Sequence, residues 1–215
     1  MNPPKYDLRP CGLDVARKLC ARFHGYGSVG NNATYAFAVF EGKKAVAVYV
    51  WQPPPPGAAR SVCPEAPYGV LALSRMVALP KERRKLQHVS KPLRRQMRML
   101  IDRTRWPVLI TYSDEGQGHT GHVYMCSGWE KTTRRRRPFF IDEKGRRVSS
   151  YSNGKHGGRE LRRAGHTWLQ RWEQWVCARG EAARWMKRNG WRRVALPGKV
   201  WRSGNPAFTF ERISA

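Results

Sequence analysis

The run from Trp106 to Trp129, WPVLITYSDEGQGHTGHVYMCSGW, constrains this chain more than any other stretch. Behind Trp106 and Pro107 come Val108, Leu109, Ile110 and Thr111, all apolar or β-branched. A short unbroken run of that kind is expected of a strand buried on both faces. The chain then turns polar at Tyr112, Ser113, Asp114 and Glu115 and meets Gly116, Gly118 and Gly121. His119 and His122 lie among the glycines, and Tyr124, Cys126 and Trp129 follow. Open α/β sheets gather ligands beyond the carboxyl ends of their strands. A buried strand ending in a glycine-rich, histidine-bearing turn therefore reads as a site rather than as a plain connection.

Charge narrows the partners. Lys and Arg total 41 against 15 Asp and Glu, a formal net charge of +26. Such an imbalance calls first for a polyanion. No basic amphipathic helix stands beside an apolar anchor, so nucleic acid outranks a membrane. No run of about 18 apolar residues exists to span a bilayer. The N-terminal MNPPKYDLRP lacks the apolar centre of a signal peptide. Cys11, Cys20, Cys63, Cys126 and Cys177 are scattered, with no CxxC pair, so neither a zinc ribbon nor a disulfide framework is expected. A cytoplasmic location follows as the expectation. With 215 residues, 40% hydrophobic, the chain can bury one sizeable core, with or without an appendage.

In chain order, Lys5 to Cys11 is expected as a first strand and Asp14 to Phe23 as a helix. In that helix Leu13, Ala16, Leu19, Cys20 and Phe23 recur at helical spacing. Glycines end it at His24-Gly25-Tyr26-Gly27, leaving His24 just past a helix C-terminus, as a cap or as a site residue. Tyr35 to Phe40 and Ala45 to Trp51 are β-rich runs joined by Glu41-Gly42-Lys43-Lys44, a hairpin signal. A stiff proline run at 53–56 opens a loop to about Tyr68, and Gly69 to Leu79 is a third such run. After the basic loop Lys81, Arg83, Arg84, Lys85 comes Ser90, suited to cap a helix running to about Arg103. A basic loop at a helix N-terminus is either a cradle for a phosphate-bearing donor or a solvated charged face. Ser90, Arg83, Arg84 and Ser113 are the donor-binding candidates.

This order of strand, helix, three antiparallel strands, helix and strand resembles the GCN5-related N-acetyltransferases. The resemblance implies an α+β fold, a mixed and mainly antiparallel sheet flanked by helices. In that fold the fourth and fifth strands splay apart and the donor enters between them; here they would be Gly69–Leu79 and Trp106–Ser113. The family's pyrophosphate motif, Q/R-x-x-G-x-G/A, is missing between Pro80 and Ser90.

The last third changes character, and a boundary is expected at residue 141: a catalytic core over 1–141 and a basic, Trp-rich extension over 142–215 packed on it. Arg134 to Arg137 stand side by side, and on a strand they would point alternately to both faces. Arg146 to Gly158 reads as a polar loop. Glu160 to Arg179 reads as a helix with Leu161, Ala164, Trp168, Trp172, Trp175 and Val176 on one face. Its Trp stripe is either core packing or an aromatic platform for an extruded base. Val194 to Trp201 and Ala207 to Ile213 are expected as closing strands.

Leu73-Ser74-Arg75-Met76-Val77-Ala78 and, above all, Tyr112-Ser113-Asp114, Gly118-His119-Thr120-Gly121, Tyr124 and Trp129 resemble the phage Mom family of DNA adenine-modifying enzymes. Its pattern runs roughly S-Y-A-D-P/x-x-x-G-H-x-G-x-I-Y-x-A-x-x-W/F, and this chain has Ser113, Glu115 and Val123 at the variant positions. The resemblance implies transfer of a carbamoylmethyl (acetamido) group to adenine N6 in double-stranded DNA, shielding phage DNA from restriction. It places Asp114 and Tyr124 in the catalytic centre, with His24 facing them. Iron is associated with the family, and this sequence offers His24, His119 and His122 without an evident ligand triad.

Adenine N6 is a poor nucleophile, because its lone pair is delocalised into the ring. A carboxylate that accepts an N6 hydrogen both orients the amine and draws off its proton, the role expected of Asp114. Tyr124 would donate to an oxyanion or a leaving group. Reaching N6 calls for extruding the base, with Tyr35, Trp51, Trp129 and His119 as candidate base contacts. Arg134, Arg135, Arg136 and Arg137, with Lys81–Lys85 and Lys155–Arg163, would hold phosphates. The donor is either an acetyl-CoA-like thioester or a glycyl-tRNA. The rival functions are an acetyltransferase for another amine and a DNA-binding protein without catalysis.

Overall fold

The structure, a computed structural model, describes residues 6–25, 29–30, 32–103, 105–143, 145, 147–148, 162–200 and 206–212. Strand β1 (Asp7–Pro10) leads into helix α1 (Leu13–Phe23), followed by β2 (Tyr35–Glu41) and β3 (Lys44–Gln52). Gly42, at φ 61°, makes the tight turn of that hairpin. Helix α2 (Pro56–Val62) then forms inside the stretch expected to be loop. A proline at its first position suits a helix start, since proline has no N–H to satisfy there and its φ is already helical. Next come β4 (Val70–Ala78), α3 (Ser90–Arg103), β5 (Val108–Asp114), α4 (His122–Met125), β6 (Glu130–Ile141) and β7 (Arg147–Val148). The chain closes with β8 (Arg162–Trp175), α5 (Ala182–Arg188), β9 (Trp191–Val200) and β10 (Pro206–Arg212).

Eight strands form one sheet in the order β1-β2-β3-β4-β5-β8-β6-β7. Every neighbouring pair is antiparallel except β4 and β5, which run parallel and pair only at Val70–Val108, Leu71–Leu109 and Ala72–Ile110. Beyond that point β4 stays with β3 as far as Ala78, while β5 stays with β8 as far as Asp114. The two strands therefore fork. A bulge helps to turn β4: Val50 pairs with Arg75 and Trp51 with Leu73, so Ser74 is the extra residue.

Alternation along the strands divides the core into two faces. On one face, α1 buries Ala16 and Cys20 against Ala38, Val48, Val50 and Val77. Helices α2 and α5 continue that face over Val70, Val108 and Ile110. On the other face, α3 buries Leu93, Met97 and Leu100 against Tyr49, Trp51, Leu71 and Leu109.

The expected helix over 160–179 is corrected: residues 162–175 are the strand β8, between β5 and β6. Trp168, Trp172 and Trp175 mimic helical spacing, but Thr167, Leu169, Gln170, Trp172 and Glu173 are all buried. A segment with a hydrogen-bonded strand on each side has both flanks covered, and that tertiary demand overrides a helical pattern. The sheet thus runs across the boundary expected at residue 141, and the last third supplies an interior strand. β8 is anchored by Glu173, which is fully buried and paired with Arg171 at 2.7 Å and Arg179 at 3.0 Å. The closing strands pair with each other in a separate two-stranded sheet. Most of the polar loop expected over 146–158, and Lys155 to Leu161 of the phosphate-contact segment, lie outside the described residues. Among the described residues, no helix is long and apolar enough to cross a membrane.

Candidate active site

Asp114 ends β5 at the fork and is 5% exposed. The turn after it is built on this residue. Gly116 N donates to its Oδ1 at 3.1 Å, and His119 N donates to its main-chain carbonyl at 3.2 Å. The Thr167 hydroxyl, from β8, also donates to Oδ1. Gln117 Nε2 reaches Oδ2 at 3.3 Å and Arg147, from β7, at 3.2 Å. Each oxygen therefore holds at least two donors. Thr167 and Arg147 were not legible as site residues, because they lie 53 and 33 positions away in sequence.

His24 caps the end of α1, its N–H donating to Cys20 O at 3.0 Å. Its imidazole is pushed down to about 4, first by burial, then by the positive charge of Arg75 and by His119. It is therefore uncharged at neutral pH. Next to it, a Cβ on Gly25 would sit 1.8 Å from Gln117 Oε1, so glycine lets this loop close onto the turn after Asp114. His24, Arg75, Asp114, Gln117 and Arg147 thus gather at one end of the fork, with His119 exposed beside them.

Tyr124 approaches from the other face. Thr111 stands in the fork, donating to Leu73 O of β4 at 3.0 Å and hydrogen-bonding with the Tyr124 hydroxyl. Burial pushes the phenol up, and Thr111 partly opposes that. The ring rests against Trp129 and Trp172, with centroids 6.0 and 5.9 Å apart. The turn into α4 needs Gly121: its φ is 74°, and a Cβ there would lie 2.2 Å from Trp172. By alternation along β5, Thr111 and Ser113 face Tyr124 while Asp114 faces the opposite side, so the carboxylate and the phenol meet the opening from opposite faces.

The other expected residues fare unevenly. Ser113 is buried and accepts from Trp172 Nε1 at 3.0 Å. Ser90 is the first residue of α3, preceded by Val89, rather than its cap; its carbonyl accepts from Ser127 Oγ at 3.4 Å. Arg84 is used inside its own loop, donating to Leu79 O at 2.7 Å and to Gln87 O at 3.5 Å. Arg83 lies 5.7 Å over the Phe23 ring. Trp129 is a buried wall stacked on Trp51 at 6.3 Å, so neither ring is a surface platform. Tyr35 accepts from Trp106 Nε1 at 3.3 Å, beside the entry to β5. β3 and β4 lie between Tyr35 and β5, and its ring packs on the face of Trp51 whereas Asp114 faces the other side, so Tyr35 does not meet Asp114.

On β6 the arginines alternate. Arg134 pairs bidentately with Glu115, at 3.0 and 2.7 Å, and lies 4.2 Å over Trp168. Arg135 points to the other face, 5.3 Å over Tyr112. Arg136 meets His166 Nδ1 at 3.3 Å, and Arg137 pairs with Thr167 in the ladder. No three His, Cys, Asp or Glu converge as metal ligands among the described residues. His122 instead contacts Cys126 Sγ at 3.3 Å.

A parallel strand pair that forks inside a mainly antiparallel sheet, with helices on both faces, defines the GCN5-related N-acetyltransferase (GNAT) fold. An acetyltransferase from Bacillus subtilis in complex with CoA superposes with a TM-score of 0.50 at 8% identity, over 80% of this chain and 100% of that one. The ribosomal-protein-S18-alanine N-acetyltransferase of Escherichia coli gives 0.47 at 13% identity, over 81% and 97%. Spermidine N-acetyltransferase from Vibrio cholerae gives 0.48 at 9%, over 83% and 98%. At such identities the likeness is one of fold. No curated protein sequence matches the chain. The profile of the Mom protein family matches residues 5–189, and the chain belongs to that family.

Proposed function

We propose that this protein is a group transferase acting on DNA, which places a carbamoylmethyl (acetamido) group on N6 of adenine in double-stranded DNA. The observation that carries the reading is the fork between β4 and β5, with His24 and Asp114 at one mouth and Tyr124 at the other. An acceptor amine and an activated donor can enter such an opening from opposite faces and meet at its narrow point. Family membership supports the DNA substrate, and the fold supports transfer from an activated acyl donor.

The transfer needs one bond made and one broken. N6 attacks the carbonyl carbon of an activated glycyl group, the bond from that carbon to its leaving oxygen or sulfur breaks, and one proton passes from nitrogen to the leaving group. The N6-glycyl product is an isomer of the carbamoylmethyl group, and a rearrangement that exchanges the two nitrogens between the carbonyl and methylene carbons converts one into the other. Asp114 accepts an N6 hydrogen and aims the amine. The Gln117 amide, at 3.3 Å the longest of the four hydrogen bonds described above, is the one that N6–H displaces. His24, uncharged at neutral pH, takes the proton. Tyr124, kept protonated by burial, gives one to the leaving group, and the balance closes when His24 sheds its proton to water and Tyr124 takes one back. Adenine must first leave the helix, at a cost of a few kcal/mol.

The donor is a thioester or an aminoacyl ester. In the loop before α3, Lys85 N and Leu86 N both donate to Glu41 Oε1 at 2.7 Å. Gln87 and Val89 stand where the pyrophosphate motif has small residues. Those residues do not fit CoA held in the manner usual for the fold, which favours a donor anchored elsewhere.

The test is mass spectrometry of nucleosides from DNA co-expressed with the protein. An adenine bearing an added acetamido group is expected, and unmodified adenine overturns the reading.

A further inference from the structure

Strands β6 and β8 are longer than the sheet they belong to. β5 ends at Asp114 opposite Leu169, yet β8 continues from Leu169 back to Arg162, paired there only with Arg135 to Ile141 of β6. Seven residues of each strand therefore run past the level where β5 ends, joined by β7 opposite Phe140 and Ile141, and they bend back over that end, since Arg147, opposite Ile141, reaches Asp114 Oδ2 at 3.2 Å. This ribbon of β6 and β8 holds Arg135, Arg136, Arg137, Arg162 and Arg163 and no acidic residue. The strand turn is sharpened by an irregularity at Phe139/Phe140, where Gly165 adopts φ 147° with the Phe139 ring close behind it.

One face of this ribbon is exposed. Register places Arg134 opposite Gln170, Arg136 opposite Trp168, Pro138 opposite His166 and Phe140 opposite Arg163, all on the side away from Asp114. Arg136 and Arg163 each meet a ring nitrogen of His166, at 3.3 and 2.6 Å. Among the described residues, no carboxylate pairs with Arg136 or Arg163. Trp168 is 41% exposed, a large apolar ring left in solvent and backed by Arg134. Charge on an edge strand does guard against stray strand pairing. That need does not explain an exposed indole or two guanidiniums crowded on one imidazole.

We infer that the β6–β8 ribbon is the duplex-docking element and enters the major groove of B-form DNA, with Arg134, Arg136, Arg163, His166 and Trp168 against it. This rests on the reading that the substrate is duplex DNA. The groove, about 12 Å wide, admits a two-stranded ribbon and displays adenine N6. The major groove of duplex RNA is deep and narrow and excludes such an element, so an RNA partner is disfavoured at this surface.

The test is binding of the full chain to a 30-base-pair DNA duplex, read by fluorescence anisotropy over a salt series. Arg136→Gln/Arg163→Gln should weaken binding at least tenfold and lower the slope of log affinity against log salt by about 2. Arg17→Ala/Lys18→Ala on α1 removes equal charge elsewhere and should change neither by much. Equal losses in both variants, or none in the ribbon variant, overturn the inference. A second arm uses wild-type protein, so it stands whatever the variants do to folding. A duplex whose major groove is filled with glucosylated 5-hydroxymethylcytosine, and an RNA duplex of the same sequence, should each bind at least tenfold more weakly. Unchanged binding to either overturns the inference. Ribbon-dependent binding with unmodified adenine would sink the proposed activity alone, and modified adenine with ribbon-independent binding would sink this inference alone.

Discussion

His24 links the fold to the chemistry through a pH-dependence that can be measured without substrate. Its imidazole is lowered from 6.5 to about 4, chiefly by burial and then by Arg75 and His119. A histidine lowered in the fold stays neutral there and binds its proton more readily once unfolded. Its contribution to stability is therefore complete above 6.5 and is lost progressively as pH falls from 6.5 to about 4. A shift of that size has a ceiling of about 3 kcal/mol, of which about 2 kcal/mol is gone by pH 5. The ring is partly solvent-exposed, which screens it and leaves about 1 kcal/mol between pH 7 and pH 5. The assay is urea denaturation of the wild type and His24→Gln across that range, where carboxylates are still largely ionised. The wild type should lose about 1 kcal/mol more than the variant between the two pH values. Parallel stability curves would refute the buried, uncharged imidazole.

Thr167→Val removes the hydroxyl that steadies Asp114 and keeps the shape. It should cost about 1–3 kcal/mol in chemical denaturation and lower adenine modification at unchanged DNA affinity. Gly121→Ala forces a side chain into a left-handed backbone and into the Trp172 ring, so its urea midpoint should fall by the equivalent of about 3 kcal/mol. Glu173→Ala strands the two arginines that Glu173 holds and should destabilise by about 3–5 kcal/mol in the same assay. Losses under 0.5 kcal/mol at Gly121 or Glu173 would contradict the packing described here.

What the sequence made legible was local. The β2–β3 hairpin, α1, α3 and β5 follow from patterns contained within each segment, and β4 and β5 follow from apolar runs with clear ends. The alternation of Arg134 to Arg137 followed from strand geometry alone. What stayed hidden depends on distant partners. β8 carries tryptophans at 168, 172 and 175, a spacing that suits a helix, and only its two flanking strands make it extended. Thr167 and Arg147 carry no local mark of their contact with Asp114. An aromatic residue type says nothing of the strand and face it will occupy, which is why Tyr35 was expected at the site and lies beside Trp106 on the face away from Asp114. Asp114 and Tyr124 are close in sequence, and that closeness concealed their separation onto opposite faces of the fork.

The central claim is that a carboxylate and a phenol act on one reaction from the two mouths of that fork. The most direct measurement is the yield of modified adenine in co-expressed DNA for the wild type, Asp114→Asn, Tyr124→Phe and Tyr35→Phe. The account predicts a loss of about 100-fold or more for the first two variants and a wild-type yield for Tyr35→Phe. Full modification by Tyr124→Phe or Asp114→Asn, or a loss in Tyr35→Phe as large as theirs, would contradict it.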